Sequence, residues 1–232
     1  MEGQQRVPAE CIGLIGGLSV GSACHCYKAL AQAYPRHCGK FELSLVHADL
    51  TMVLDYVAKN EPQELANYLA GQIERLRGSG ATLAAIPAVT PHFCVTQLKA
   101  RATLPIVDLL EAVVSEVQLR KLKRVTVFGT RYVIEKNLFG VLDDIVEVVS
   151  PASEEINRVH ELYLRLIQQG SGRPADIAEL NGLARSVSDR GHAEAVLLAG
   201  TDFSVIPSDL LEFPHMDCTE IHLRAILRRI CG

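Results

Sequence analysis

Three stretches of this 232-residue chain bring together the residue types that grip and deprotonate a small acid: Ala88-Val89-Thr90-Pro91-His92, Gly129-Thr130-Arg131 and Gly200-Thr201-Asp202. Thr90, Thr130 and Thr201 each offer a hydroxyl and a backbone N–H, the donors that a carboxylate needs. A fourth stretch, Gly16-Gly17-Leu18-Ser19, follows an apolar run and precedes helical spacing. N–H groups from Gly17 to Ser19, with the positive end of a helix behind them, could hold an anion, or the glycines could serve only a tight turn. The pattern is not G-x-G-x-x-G, so no nucleotide is inferred.

Four residues could move a proton: His92 two places after Thr90, Asp202 directly after Thr201, and the pair His47 and Asp49 at the end of a second apolar run. Histidine is the one side chain that titrates near neutrality unaided, and carboxylates change their pKa in a closed cleft. Each has a plainer alternative. A lone histidine is more often structural, and Asp49 and Asp202 also fit helix caps. Arg131 either reads a second carboxylate with its guanidinium fork or is a solvated surface cation.

No metal or cofactor is expected. Cys24-His25-Cys26, even with His37 and Cys38, has C-x-C spacing inside a helical stretch and not the C-x2-C of a zinc site. Neither a P-loop nor a nucleophile elbow occurs. The net charge of −4, with both signs interspersed, gives no field for nucleic acid and no polybasic membrane anchor. The expected partner is a small carboxylate or amino acid, or a second subunit. Seven cysteines without a paired framework, and an N-terminus MEGQQRVPAE without an apolar core, lead us to expect a reduced, cytoplasmic protein.

Positioning these residues requires strands that end near them. With 48% hydrophobic and 22% charged residues the chain can build one large domain or two small ones. Short apolar runs predict strands at Cys11–Gly16, Glu42–Ala48, Thr82–Pro87, Ile106–Asp108, Arg124–Phe128, Val146–Val149 and Ala195–Ala199. Their unbroken hydrophobicity suits strands covered on both faces, hence a mostly parallel sheet. Helical spacing predicts Val20–Ala33, Glu61–Gly78, Pro91–Ala100, Leu109–Leu122, Ile134–Leu142, Ser153–Gln169, Ala175–Arg190 and Thr219–Ile230.

The chain also echoes itself. "IGLIGGLS" and "VTVFGTRY" both run from a strand into a glycine loop, and "ATLAAIPAVT" and "AEAVLLAGT" both end a strand in small residues and a threonine. The expected fold is therefore two similar α/β halves, residues 1–107 plus 214–232 and residues 108–213, with a ligand cleft between them. Ligands in such folds sit at the carboxyl ends of the strands.

The runs "IGLIGGLSVGS", "GATLAAIPAVTPHF", "VTVFGTRYVIEKNLFG", "EAVLLAGTDFSVIP" and "DCTEIH" resemble, in order and spacing, the cofactor-independent aspartate/glutamate racemase family across nearly the whole chain. The resemblance implies the two-half fold and a homodimer, and Thr90, His92, Gly129, Thr130, Thr201, Asp217, Thr219 and His222 keep the family's residue types; with the residue reading above, substrate contacts are expected at Gly17, Ser19, Ala88, Thr90, Thr130, Arg131, Gly200 and Thr201. The resemblance also implies catalytic thiols where this chain has Ala88 and Gly200. Racemisation needs one group to take the Cα proton and another to return one on the opposite face, and neither alanine nor glycine titrates. A glycine held at positive φ would also resist any side chain placed at 200. Cys94, six residues past Ala88, is expected on the following helix and away from the cleft. The expectation is altered isomerase or lyase chemistry with the proton handled by His92, Asp202, Asp49 or His47. The alternatives are a binding protein without turnover and a racemase with unconventional bases.

Overall fold

Strands that are apolar on both faces are stable only when helices cover both, and this chain meets that demand twice. The computed structural model describes residues 10–37 and 41–231, with side chains described for 10–33 and 41–230. Cys38 and the His37 side chain thus lie outside the described residues. The chain divides into two compact units, Met1–Ile86 with Cys94–Val107 and Leu223–Gly232, and Pro87–Phe93 with Asp108–His222.

The first unit contains β1 (Ile12–Gly16), α1 (Val20–His37), β2 (Leu43–His47), α2 (Leu50–Ala58), α3 (Pro62–Gly78), β3 (Leu83–Ala85), α4 (Val95–Lys99) and β4 (Ile106–Val107). Its strands are all parallel, in the order β2-β1-β3-β4. Ile12, Leu14, Leu83 and Ala85 pack with Cys26 and Leu30 of α1 and with Leu223 and Ile226 near the C-terminus.

The second unit repeats the plan. It holds α5 (Leu109–Arg120), β5 (Arg124–Gly129), α6 (Arg131–Glu135), β6 (Glu147–Val149), α7 (Ser153–Gln169), α8 (Pro174–Gly191), β7 (Ala195–Ala199), β8 (His215–Asp217) and the start of α9 (Cys218–Cys231). Strand order is β6-β5-β7-β8, again parallel throughout. Val159, Leu162, Tyr163 and Leu166 form the buried stripe of α7, at the three- and four-residue spacing of a helix face, and meet Phe128, Val196 and Leu198 of the sheet. Gly170, at φ 64°, stops α7, and Pro174 opens α8 where its missing N–H has no cost.

Two elements were not expected, and two expectations need correction. Leu50–Ala58 is a helix, started by Asp49 and buried through Val53 and Val57; nine residues are too few for a clear period. His215–Asp217 is a strand with one buried side chain, Met216, in a stretch marked by Pro207 and Pro214. Pro91–Ala100 is a 3-10 turn, Thr90–Cys94, followed by the short α4. Ile134–Leu142 is broken where Asn137 takes φ 45°, so α6 ends at Glu135 and a separate 3-10 turn covers Gly140–Leu142. Among the described residues no helix is long and apolar enough to cross a membrane.

Two side chains in the second unit test its energetics. Thr126, fully buried in β5, has a hydroxyl without a hydrogen-bond partner. Such a group costs about 1–3 kcal/mol, so Thr126→Val, equal in shape, should raise stability by about 1 kcal/mol. A urea midpoint shifted upward at constant slope checks this; a midpoint shifted downward would refute it.

Asp176, 2% exposed, caps α8, where it takes Arg173 Nε at 2.9 Å, and ties the helix to α7 through Arg165 Nε at 3.0 Å. The Arg173 guanidinium, and after it Arg165, hold its carboxyl down at about 2. A folded pKa below the unfolded one contributes stability above about pH 4, lost as pH falls from about 4 toward 2. Asp176→Asn should lower stability at pH 7 by on the order of 1–2 kcal/mol and make almost no further difference at pH 2, as urea titrations at both pH values would show.

Candidate functional site

In a parallel sheet every strand delivers its loop to the same edge. The register pairs Gly129 with Ala199 and Leu198 with Asp217, so the loops after β5, β7 and β8 are neighbours on the second sheet. That edge brings together Thr130, Arg131, Gly200, Thr201 and Asp202. Gly129 has to be glycine because a Cβ there would lie 2.9 Å from the Ala199 carbonyl oxygen and 3.1 Å from Val133.

Asp202 and Thr201 are both buried, at 5% and 4% exposure, in a 3-10 turn running Thr201–Val205. The Tyr163 hydroxyl of α7 donates to Asp202 Oδ2 at 2.9 Å, and the Asp202 N–H donates back to the same hydroxyl at 3.4 Å. The Tyr163 ring lies against Phe203, with centroids 5.0 Å apart. Burial first, and the Asp202 charge second, raise the phenol well above its usual range, so Tyr163 stays a protonated donor. Gly200 is in extended backbone at φ −145°, ψ 122°, which corrects the concern about positive φ. Its constraint is steric: a Cβ would sit on the Tyr163 ring, nearest Cε2 and 2.8 Å from Cζ.

His92 is 2% exposed, and its ring is tied to backbone on both sides. The Leu109 N–H donates to Nε2 at 3.4 Å, which makes Nδ1 the protonated nitrogen donating to the Ala88 carbonyl at 2.9 Å. The ring of His222, on α9, stands edge-on to it, with centroids 6.2 Å apart. One turn earlier on the same helix, the Thr219 hydroxyl donates to the Thr201 carbonyl at 3.4 Å. Ala88, itself buried, and the half-buried Thr90 flank this histidine.

Several predicted donors hold backbone instead of open space. The Thr130 hydroxyl accepts the Val133 N–H at 3.3 Å and caps α6. Arg131 is exposed, with its guanidinium on Asn157 Oδ1 at 2.7 Å and its N–H on His160 Nδ1. Burial, followed by the Arg131 charge, lowers the His160 pKa. Asp217 Oδ1 takes the Thr219 N–H at 2.7 Å and Oδ2 the Ser204 hydroxyl at 2.8 Å, while burial raises its carboxyl.

The first unit collects the other candidates at the ends of β1 and β2. Gly17, at φ 88°, turns beside the Ala48 carbonyl and the His47 ring, and no side chain would fit there. Ser19 Oγ accepts the Ser22 N–H at 3.1 Å, and Asp49 Oδ1 accepts the Thr51 N–H at 2.7 Å, so both cap helices. His47 and Asp49 are exposed. Among the described residues no group of three or more His, Cys, Asp or Glu is placed to hold a metal ion.

Sequence reading missed Tyr163, Ser204 and the position of His160 beside the loop after β5. A tyrosine in the apolar stripe of an amphipathic helix was the available signal, since a buried phenol requires a polar partner. Burial pushes the Cys94 thiol up to about 12 and that of Cys218 well above the usual range. With iodoacetamide at pH 8 the exposed Cys24 should be labelled in the native protein, and Cys94 and Cys218 only after unfolding; peptide mass spectrometry reads the order, and early labelling of Cys94 would contradict it.

Similar architecture occurs in solved structures. A candidate Asp/Glu racemase from Yersinia pestis matches with TM-score 0.83 and 20% identity, over 96% of this chain and 100% of that one. PH1733, an aspartate racemase homologue from Pyrococcus horikoshii OT3, matches with TM-score 0.79 and 22% identity, over 96% and 100%. Glutamate racemase from Francisella tularensis subsp. tularensis SCHU S4, in complex with D-glutamate, gives TM-score 0.67 and 17% identity, over 96% and 81%. At these identities the likeness shows the fold. A family model for Asp/Glu/hydantoin racemases matches residues 15–226, and the chain belongs to that family.

Proposed function

We propose that this protein binds a small carboxylate or amino acid and moves a proton on the carbon beside the carboxylate, with no cofactor and with Asp202 as the proton-transfer group. The observation that carries the proposal is a 5% exposed carboxylate at the carboxyl edge of the second sheet, next to Thr201. Family membership supports the substrate class. Ala88 and Gly200 stand where the resemblance implies thiols, and neither can hold a proton. His92 has both ring nitrogens on backbone, which suits a role in shaping the Ala88–Thr90 loop.

With Asp202 as the one proton-transfer group of this proposal, chemistry on one face is favoured: exchange, isomerisation or loss of a group followed by protonation. Inversion at Cα needs a second group opposite the first. The same shortage supports the second reading, binding without turnover. Exposed Val20, Tyr27 and Leu45 in the first unit offer apolar surface for the homodimer expected of the family, and a cytoplasmic setting suits the free thiols.

Incubation in deuterated water with both enantiomers of aspartate and glutamate, and with small mono- and dicarboxylates, tests the proposal. Deuterium should enter beside the carboxylate of a bound compound. Asp202→Asn should reduce that entry by about 10²–10⁴-fold, and inversion of aspartate or glutamate should stay below about 1 s⁻¹. Exchange that survives Asp202→Asn would remove Asp202 from the reaction; binding without any exchange would leave the non-catalytic reading.

A further inference from the structure

We propose that Tyr163 is the positioning residue for Asp202, and that position 200 is glycine to leave room for the Tyr163 ring. The proposal rests on the reading of Asp202 above, and it adds the element that fixes where that carboxylate points. Asp202 follows a strand end and sits in a 3-10 turn, a short segment that does not by itself fix a side chain. Tyr163 belongs to an 17-residue helix anchored by Val159, Leu162 and Leu166, all fully buried, and its ring is further held by Phe203. A rigid helix thus presents one hydroxyl to one carboxylate oxygen, at 2.9 Å.

The two chain segments touch so closely that position 200 has no space for a β-carbon: the distance to the ring would be 2.8 Å at Cζ, shorter than real Cβ contacts show, and 3.0 Å at Cδ2, tighter than most of them. Since the backbone at 200 is ordinary extended structure, the ring and not the dihedral angles excludes a side chain. Burial keeps the phenol protonated, so it faces the carboxylate as a hydrogen-bond donor. Orientation of a reacting group is a large part of what an active site supplies.

Tyr163→Phe keeps the ring above Gly200 and deletes only the hydroxyl. In its crystal structure the Asp202 carboxylate should rotate away from the place it holds in the parent, and deuterium exchange should fall about 10–100-fold while KM stays within about threefold. In proton NMR of the parent, a slowly exchanging hydroxyl signal should be present that disappears in Tyr163→Phe and moves upfield in Asp202→Asn. Gly200→Ala provides a second route if Tyr163→Phe does not fold. The new methyl should displace the ring, lower the melting temperature and move Asp202. A carboxylate that stays in place in Tyr163→Phe, or a Gly200→Ala variant with an unmoved ring, would overturn the proposal. If the parent protein exchanges no substrate, the functional reading fails while the crystal structures and the hydroxyl signal still decide the role of Tyr163.

Discussion

A helix that begins directly after a parallel strand has N–H groups with no backbone partner, and something short and polar has to take them. In this protein that need governs the whole carboxyl edge of both sheets. Asp49, Asp108 and Asp217 solve it identically: one carboxylate oxygen accepts the N–H groups two and three residues ahead, at 2.7 and 3.4 Å, 2.8 and 3.4 Å, and 2.7 and 3.3 Å. Ser19 and Thr130 do the same with hydroxyls. Polar residues at strand ends look catalytic in a sequence, yet most are committed to holding the next helix in place. Asp202 differs in that a side chain from a distant helix, Tyr163, bonds its carboxylate.

The duplicated plan explains where this difference could arise. Both sheets use the order second-first-third-fourth, so β3 corresponds to β7 and β4 to β8. After β3 comes the turn Thr90–Cys94, and after β7 the turn Thr201–Val205. Asp108 after β4 and Asp217 after β8 are the matching caps. The third residues of the two turns are His92 and Phe203, and the packing around them has diverged. His92 fastens its own loop to the start of α5. Phe203 packs against Tyr163 and helps seat the phenol on Asp202.

How far the sequence was readable follows from the distance over which each feature is decided. β1, β5 and β7 are continuous apolar runs, and their positions could be read to within a residue because hydrophobicity along the chain is the cause of their burial. Three-residue β8 carries too little pattern and exists through its pairing with β7. Helix α2 was hidden because nine residues are too few to show a clear helical period, even with Asp49 read as a possible cap. Thr130, Gly200, Thr201 and Asp202 lie where β5 and β7 end, because strand ends and threonines are local features. Tyr163 was out of reach: it lies 39 residues from Asp202, and only the packing of α7 onto the sheet joins them.

Glycine 200 shows why the same residue can be read in two opposite ways. From sequence, a glycine after an apolar strand suggests a backbone that other residues cannot adopt, and replacing it should strain the chain. Here the backbone is unstrained and the restriction comes from a ring 37 positions earlier. The distinction matters for evolution of the site as much as for its stability. A glycine required by its dihedral angles can be replaced only with a change in the loop, whereas a glycine required by a neighbour can be replaced whenever that neighbour shrinks. Position 200 and position 163 are therefore one choice made together: a side chain on the strand end with a small residue on α7, or a large ring on α7 with none on the strand end. This chain has taken the second, and with it the polar atom at that edge is supplied by a helix built to stay still.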